Sequence, residues 1–560
     1  VSVSRRTLLR ASLAVPAVAW LPGSAVSAAG FVPFVDDYTS NTTANLTAET
    51  NAAVRILSGV SALWQTGTAW NTGVPLDRAT LRANVRFCET RTASRTAAEG
   101  ARAFVVDRQH QSYAVIAGLG PLAPSYRAGS LAVTGITSAP ETTPATTVSD
   151  FVPADAPAGS ALGAGSPTSS LGDVVTLVNT VRGNWSSSNP SKFAVQYPRP
   201  WRLTTDSAVV DTGAVDAFGY PVYRSKVVVV PQLLRQRGTV PAEDGGFPSG
   251  HTNALFLAAL AYAYAVPERF QELLTCAFDL ADTRITAGMH SPLDVVSGRI
   301  LATALAAAIL NDPANAGLKA AARAQAAAVL TATPGAEDPY ADRVRNRRSI
   351  LPRLTYILPR TGRDTPLTVP KGAEVLLETR LPYLTAAQRR AVLRSTALPG
   401  GYALLDGPEQ WGRLDLFTAA DGYGAFENDV DVTLGAGVSD TWRNDISGKG
   451  GLTLRGSGTL ALTGANTFRG GVRILGGTLA AESLGDVTVD GGTLQVSNAR
   501  VDGVLAIKSG NLVVNGTKSG TVLTAQKITG RFAQVTVTTP GLKAEPVYTR
   551  NTVQVRITRG

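Results

Sequence analysis

The chain of 560 residues contains one methionine, two cysteines and three histidines. Beyond its N-terminus it has no run approaching the ~20 apolar residues that a membrane-spanning helix needs, which argues against a multi-pass membrane protein. Cys88 and Cys276 allow a single bridge, and their spacing does not decide whether it forms. The lone methionine, beside abundant alanine, glycine and arginine, reads as base-composition bias and carries no functional inference. The net charge of +10 is modest for this length, comes largely from arginine and favours the approach of anions. No nucleic-acid motif is present. With histidine so scarce, the position of each one is informative.

His251 lies in Pro248-Ser249-Gly250-His251-Thr252. Thr283-Arg284 precedes His290 by five intervening residues, and three more separate His290 from Asp294. Upstream stands Lys192, then six residues, then Arg199-Pro200. These are the parts needed to hold a tetrahedral oxyanion and transfer it to histidine. Arginine offers forked donors that match phosphate, and lysine offers a point charge. Lys192, Arg199 and Arg284 are the candidate cations; Ser249 and the Gly250 N–H add neutral donors. The run after His251 predicts a helix, so Ser249 to His251 would sit at its N-terminus, where free N–H groups favour an anion.

Two histidines permit a division of labour between nucleophile and general acid. Asp294, four residues after His290, can share a helical face with it and fix its tautomer. His290 is therefore the candidate nucleophile, Asp294 its orienter and His251 the general acid. Ser291-Pro292-Leu293-Asp294 also has the form of a helix start, so capping is the alternative role for Asp294. His110 reads as structural. Glu243-Asp244 reads as a solvated loop near the site.

The pattern K-x6-RP, PSGH and SR-x5-H-x3-D resembles that of the type-2 phosphatidic acid phosphatase superfamily, which includes bacterial acid phosphatases, membrane lipid phosphatases and vanadium-dependent haloperoxidases. Lys192, Arg199 and Pro200, then Pro248 to His251, then Arg284, His290 and Asp294 carry the match. The gaps also fit, with 47 residues between Pro200 and Pro248 and 31 between His251 and Thr283. Thr283 departs from the family's serine but keeps the hydroxyl. The resemblance implies a helical bundle and a phosphohistidine on His290. His251 would protonate the departing alcohol, while Lys192, Arg199, Arg284, Ser249 and Gly250 would hold the phosphoryl oxygens. No metal and no cofactor is implied, and the expected partner is a small phosphorylated substrate. Vanadate enters only under the haloperoxidase alternative.

Ser4-Arg5-Arg6-Thr7-Leu8-Leu9-Arg10, an apolar stretch from Ala11 to Leu21 and small residues at Val26 to Ala29 read as a twin-arginine signal peptide. The expected protein is exported, to the periplasm, the cell surface or the medium, with no integral membrane segment in its mature form. Twin-arginine substrates can travel folded, which is compatible with a bound ion such as vanadate.

The expected architecture is multidomain α plus β. Residues 1–29 form the signal peptide, 30–330 a mainly α-helical phosphatase domain, 331–428 a helical and aromatic extension packed on it, and 429–560 a Gly-rich β-solenoid resembling a right-handed parallel β-helix. Helices are expected over Leu46–Thr66, Arg82–Val106, Leu255–Ala265, Phe270–Asp282, Leu293–Asn311, Ala314–Leu330, Gly372–Leu384 and Thr385–Ser395, with a loop over Ala139–Ser170. Trp411, Phe417, Tyr423 and Phe426 are expected in the core rather than at a substrate entrance. From about Asp429, short β-branched runs alternate with glycine turns, and Gly476-Gly477-Thr478-Leu479 recurs 15 residues later as Gly491-Gly492-Thr493-Leu494. This segment resembles autotransporter passenger-associated repeats. No membrane barrel is expected after it, so a stabilising or spacing role ranks ahead of contact with a cell surface or polymer. Three functions compete: an exported acid phosphatase, a vanadium haloperoxidase, and an adhesin with a degenerate phosphatase domain.

Overall fold

The computed structural model describes residues 31–560, and the proposed leader lies outside them. Helices dominate as far as Ala419, and strands dominate from Ala425 onward. The helices that build the site are α1 (Arg78–Ser94), α2 (Ala97–Arg108), α3 (Gly172–Val181), α4 (Asn189–Val195), α5 (Gly250–Ala265), α6 (Phe270–Thr286), α7 (Pro292–Asn311) and α8 (Ala316–Val329). Helices α5 and α7 are apolar nearly all round and lie at the centre of the bundle. Among the described residues, α7 alone is long and apolar enough to cross a membrane, yet from Pro292 to Leu310 it is buried within the protein.

Several boundaries differ from the expected ones for local reasons. Leu46–Thr66 holds a helix at Ala52–Ile56, a 3-10 turn at Ser58–Ala62 and a two-residue strand at Trp64–Gln65. Gly59 there lies so close to the Ala403 carbonyl that a Cβ would approach within 2.8 Å. The single helix expected over Arg82–Val106 is split between α1 and α2, because Thr96 starts the second with a capping box to Glu99. Gly372–Leu384 contains only a 3-10 turn, Ala373–Leu377, and Pro382 follows it. Cys88 and Cys276 are both free and buried. Trp411, Phe417, Tyr423 and Phe426 are all buried, as core residues.

The C-terminal region is a β-solenoid. Its first face stacks β1 (Val430–Leu434), β3 (Leu452–Gly456), β5 (Val472–Ile474), β7 (Val487–Val496), β8 (Ala499–Val514) and β9 (Gly520–Thr529), all parallel. The second face stacks β2 (Ser439–Trp442), β4 (Thr459–Leu462) and β6 (Thr478–Ala481) on the later halves of β7 and β8. The two glycine tetrads are direct neighbours there: Thr478 pairs with Thr493 and Leu479 with Leu494. Inward residues such as Leu460, Leu479, Leu494 and Leu512 form a buried apolar column. An antiparallel hairpin, Leu542–Tyr548 and Thr552–Arg559, pairs with β9 and covers the edge of the last coil.

The first coil is joined to the helical region by specific contacts. Arg380 grips Asp440 with two hydrogen bonds of 2.7 and 2.9 Å, and Trp442 Nε1 donates to the Tyr383 hydroxyl at 2.8 Å. The Trp442 ring, fully buried, packs against Tyr423 and Phe426, and Phe426 continues to Phe468. The solenoid therefore extends the helical core instead of hanging from a linker.

Candidate active site

The candidate site residues Lys192, Arg199, Ser249, Gly250, His251, Arg284, His290 and Asp294 come together at the starts of α5 and α7. Ser249 caps α5: its hydroxyl accepts from Thr252 N at 3.3 Å and from Thr252 Oγ1 at 3.0 Å. Both bonds use its oxygen as acceptor, so its own O–H is left to donate to a ligand. Gly250 N–H lies in the first turn, where it has no intrahelical acceptor. A Cβ at Gly250 would stand 3.0 Å from Ser188 Oγ and 4.0 Å from Lys192 Cε, so glycine keeps this corner open.

Ser291 caps α7 in a capping box with Asp294. Asp294 Oδ2 accepts from Ser291 N at 2.7 Å and also meets His290 Nδ1 at 3.3 Å. The two roles weighed for Asp294 thus coexist. Its main-chain carbonyl accepts from Ser249 N at 2.9 Å, which links the two helix starts. Gly298 lets α7 cross α5 closely: a Cβ there would lie 2.7 Å from the Ser249 carbonyl.

His290 Nε2 meets Arg199 Nη1 at 2.8 Å. A guanidinium can only donate, so Nε2 is an acceptor and the ring proton belongs on Nδ1, facing Asp294. Burial, reinforced by Arg199, Lys192 and Arg284, holds the imidazole well below its ordinary pKa and therefore neutral. This is the protonation state and tautomer a nucleophile requires.

His251 Nε2 donates to the Asp107 carbonyl at 3.1 Å, leaving Nδ1 for proton traffic. Burial, then Arg284, pushes its pKa down to about 3. Arg284 is buried and ion-paired with the Asp107 carboxylate, which Arg108 also contacts. Burial alone would raise the Asp107 carboxyl, but Arg284, His251 and Arg108 hold it well below the usual range. Lys192 Nζ donates to the Gly245 carbonyl at 2.8 Å. Burial and Arg199 lower its pKa, against the opposing pull of Asp294. Burial raises the Asp294 carboxyl.

The sequence reading missed Asp107, which reaches both His251 and Arg284 from the end of α2. Its signal was a lone carboxylate closing the apolar run Phe104-Val105-Val106. The reading of Glu243-Asp244 as a solvated loop holds for Glu243, which is exposed, and fails for Asp244. Asp244 is ion-paired with Arg199 at 2.6 Å and with the buried Arg202 at 2.9 Å. His110 has the structural role expected of it, capping the short helix Gln111–Val115 and touching Arg182.

Comparison with known proteins finds relatives of both regions of the chain. Residues 173–317 match the PAP2 superfamily, and residues 452–481 match the passenger-associated-transport-repeat. A non-specific acid phosphatase of Salmonella typhi is 38% identical over 72 residues, covering 13% of this chain and 29% of that protein. An extracellular serine protease of Serratia marcescens is 34% identical over 147 residues, covering 20% of this chain and 14% of the protease. The Neisserial autotransporter lipoprotein NalP of Neisseria meningitidis serogroup B is 35% identical over 113 residues, covering 19% of this chain and 10% of that protein. The chain thus spans less than a third of each of these relatives. It carries a PAP2-superfamily domain followed by a β-solenoid region that contains a passenger-associated transport repeat.

Proposed function

We propose that this chain is an exported acid phosphatase that hydrolyses phosphomonoesters through a phosphohistidine. The observation that carries the reading is the His290 imidazole, neutral and buried, with Nδ1 on Asp294 and Nε2 against a phosphate-type arginine. Around it, Lys192, Arg108, Arg199, Arg202 and Arg284 face Asp107, Asp244 and Asp294. By formal charge these five basic side chains outnumber the three acids by two, which favours a phosphomonoester anion.

In this mechanism the phosphoryl oxygens take donors from Lys192, Arg199, Arg284, Ser249 and the Gly250 N–H. His290 Nε2, released from Arg199, attacks phosphorus, and the bond from phosphorus to the ester oxygen breaks. His251 delivers a proton to that oxygen and the alcohol leaves. Water then attacks the phosphohistidine with His251 as base, the N–P bond breaks, and inorganic phosphate departs. His251 is neutral in the free site; the negative charge of a bound phosphoryl group raises its pKa, so its protonation accompanies binding.

The likeness to acid phosphatases and to extracellular and autotransporter proteins supports both the activity and the export. The test is hydrolysis of an aryl phosphate at acid pH by wild type and His290→Ala, with chelator and with vanadate. Activity that survives chelator, is inhibited by vanadate and is lost in the variant is expected. A wild type that instead oxidises halide with vanadate and peroxide would overturn the reading in favour of a haloperoxidase.

A further inference from the structure

One loop residue outside the family pattern is built into the phosphate site. Arg199 Nε and Nη2 both donate to Asp244 Oδ1, at 3.0 and 2.6 Å. The remaining edge of the guanidinium, Nη1, donates to the Met289 carbonyl at 3.1 Å and to His290 Nε2 at 2.8 Å. Asp244 is itself fixed from behind. Arg202 donates to its Oδ2 and to its main-chain carbonyl, both at 2.9 Å, and Arg202 stacks on the Trp201 ring. The next two residues continue the hold: the Gly245 carbonyl accepts from Lys192, and Gly246 N donates to the Tyr197 carbonyl at 2.7 Å. At Gly246 a Cβ would come within 2.8 Å of Asp294 Oδ2, so the strand of loop passes directly over the His290–Asp294 pair.

We propose that Asp244 is a positioning residue that holds the far edge of the Arg199 guanidinium so that its near edge stays beside His290, placed to take a phosphoryl oxygen as Nε2 is freed to attack. This inference rests on the phosphohistidine reading of the same site. An arginine on a flexible stem binds phosphate well as a charge, but it helps an in-line attack only when its donors are fixed. A carboxylate beside that arginine also opposes ground-state binding of an anion. Asp244 therefore trades phosphate affinity for rate.

The experiment compares wild type, Asp244→Asn, Asp244→Glu, Arg199→Lys and the double variant Asp244→Asn/Arg199→Lys. It measures kcat on an aryl phosphate and calorimetric binding of inorganic phosphate. Asp244→Asn is expected to lose at least about tenfold in kcat while binding inorganic phosphate about threefold more tightly. A merely damaged site would lose both. Asp244→Glu is expected to recover part of kcat, and Asp244→Asn is expected to cost less than about twofold further once Arg199 is lysine. An unchanged kcat, weaker phosphate binding, or an equal loss in the lysine background would overturn the proposal. If wild type binds phosphate but turns over no ester, the phosphomonoesterase reading fails. The inference, which rests on that reading, falls with it, whereas an active wild type with an unchanged Asp244→Asn overturns the inference alone. A wild type that neither binds nor turns over sinks both.

Discussion

Arg199 Nη1 rests on His290 Nε2 at 2.8 Å. The atom that would attack phosphorus and the cation that would hold a phosphoryl oxygen are thus in direct contact in the free site. Binding of a phosphoryl group must part them, and the same event frees the nitrogen lone pair.

The tautomer argument makes Asp294 testable apart from its capping role. Asp294→Asn keeps an oxygen for the Ser291 N–H, so the helix start is preserved. It loses the charge that holds the proton on His290 Nδ1. A fall in kcat of about a hundredfold or more is expected, with a melting temperature changed far less than in Asp294→Ala. Equal damage to stability and rate in the asparagine variant would count against tautomer control.

His251 is assigned to the leaving group, so its loss must depend on what leaves. His251→Gln is expected to cost about a hundredfold or more on alkyl phosphates. The loss on an aryl phosphate with an acidic phenol should be much smaller, because that leaving group needs no proton. Rates on a series of esters of graded leaving-group pKa check this. A constant loss across the series would remove His251 from the acid role.

The histidines also set a pH trend in stability. His251 is pushed down to about 3 and His110 to about 4, and His290 lies well below the ordinary value. Between those values and about 6.5, the unfolded chain binds more protons than the folded one. Stability therefore rises with pH through that window and is lost as pH falls through it, by at most about 1.4 kcal/mol per pH unit for each histidine. Asp294, Glu272, Glu409 and Asp415, with raised carboxyls, work in the opposite direction. Melting temperatures between pH 4.5 and 7 are expected to climb more steeply in wild type than in a His110→Gln/His251→Gln variant; an equal slope contradicts the burial of neutral imidazoles.

The helical region and the first solenoid coil share the Trp442 core. Trp442→Ala is expected to cost about 3–5 kcal/mol. It should lower a melting transition seen equally by helical and strand signals. Loss of the strand signal alone, with the helical transition unmoved, would show that the solenoid is an independent module.

Much of the site was legible because its chemistry uses rare residues at fixed spacings. His251, His290 and Asp294 fall on helix starts whose caps are local sequence signals, Ser249 and Ser291. The solenoid was legible for the same reason: its glycine tetrads repeat and stack in register. Asp107 and Asp244 were not, because their meaning comes from partners more than 40 positions away in sequence, Arg284 and Arg199. Nothing local separates such a carboxylate from a solvated one. Helix boundaries failed where tertiary contact decides them, as at Gly59 under the Ala403 carbonyl.

The most direct test of the account is to quench the enzyme during turnover of a phosphomonoester and locate the trapped phosphoryl group by peptide mass spectrometry. The account predicts an acid-labile, base-stable phosphoryl group on His290, absent from His290→Ala and accumulating in His251→Gln supplied with an aryl phosphate. A phosphoryl group on another residue, or turnover at full rate with none on His290, would contradict it.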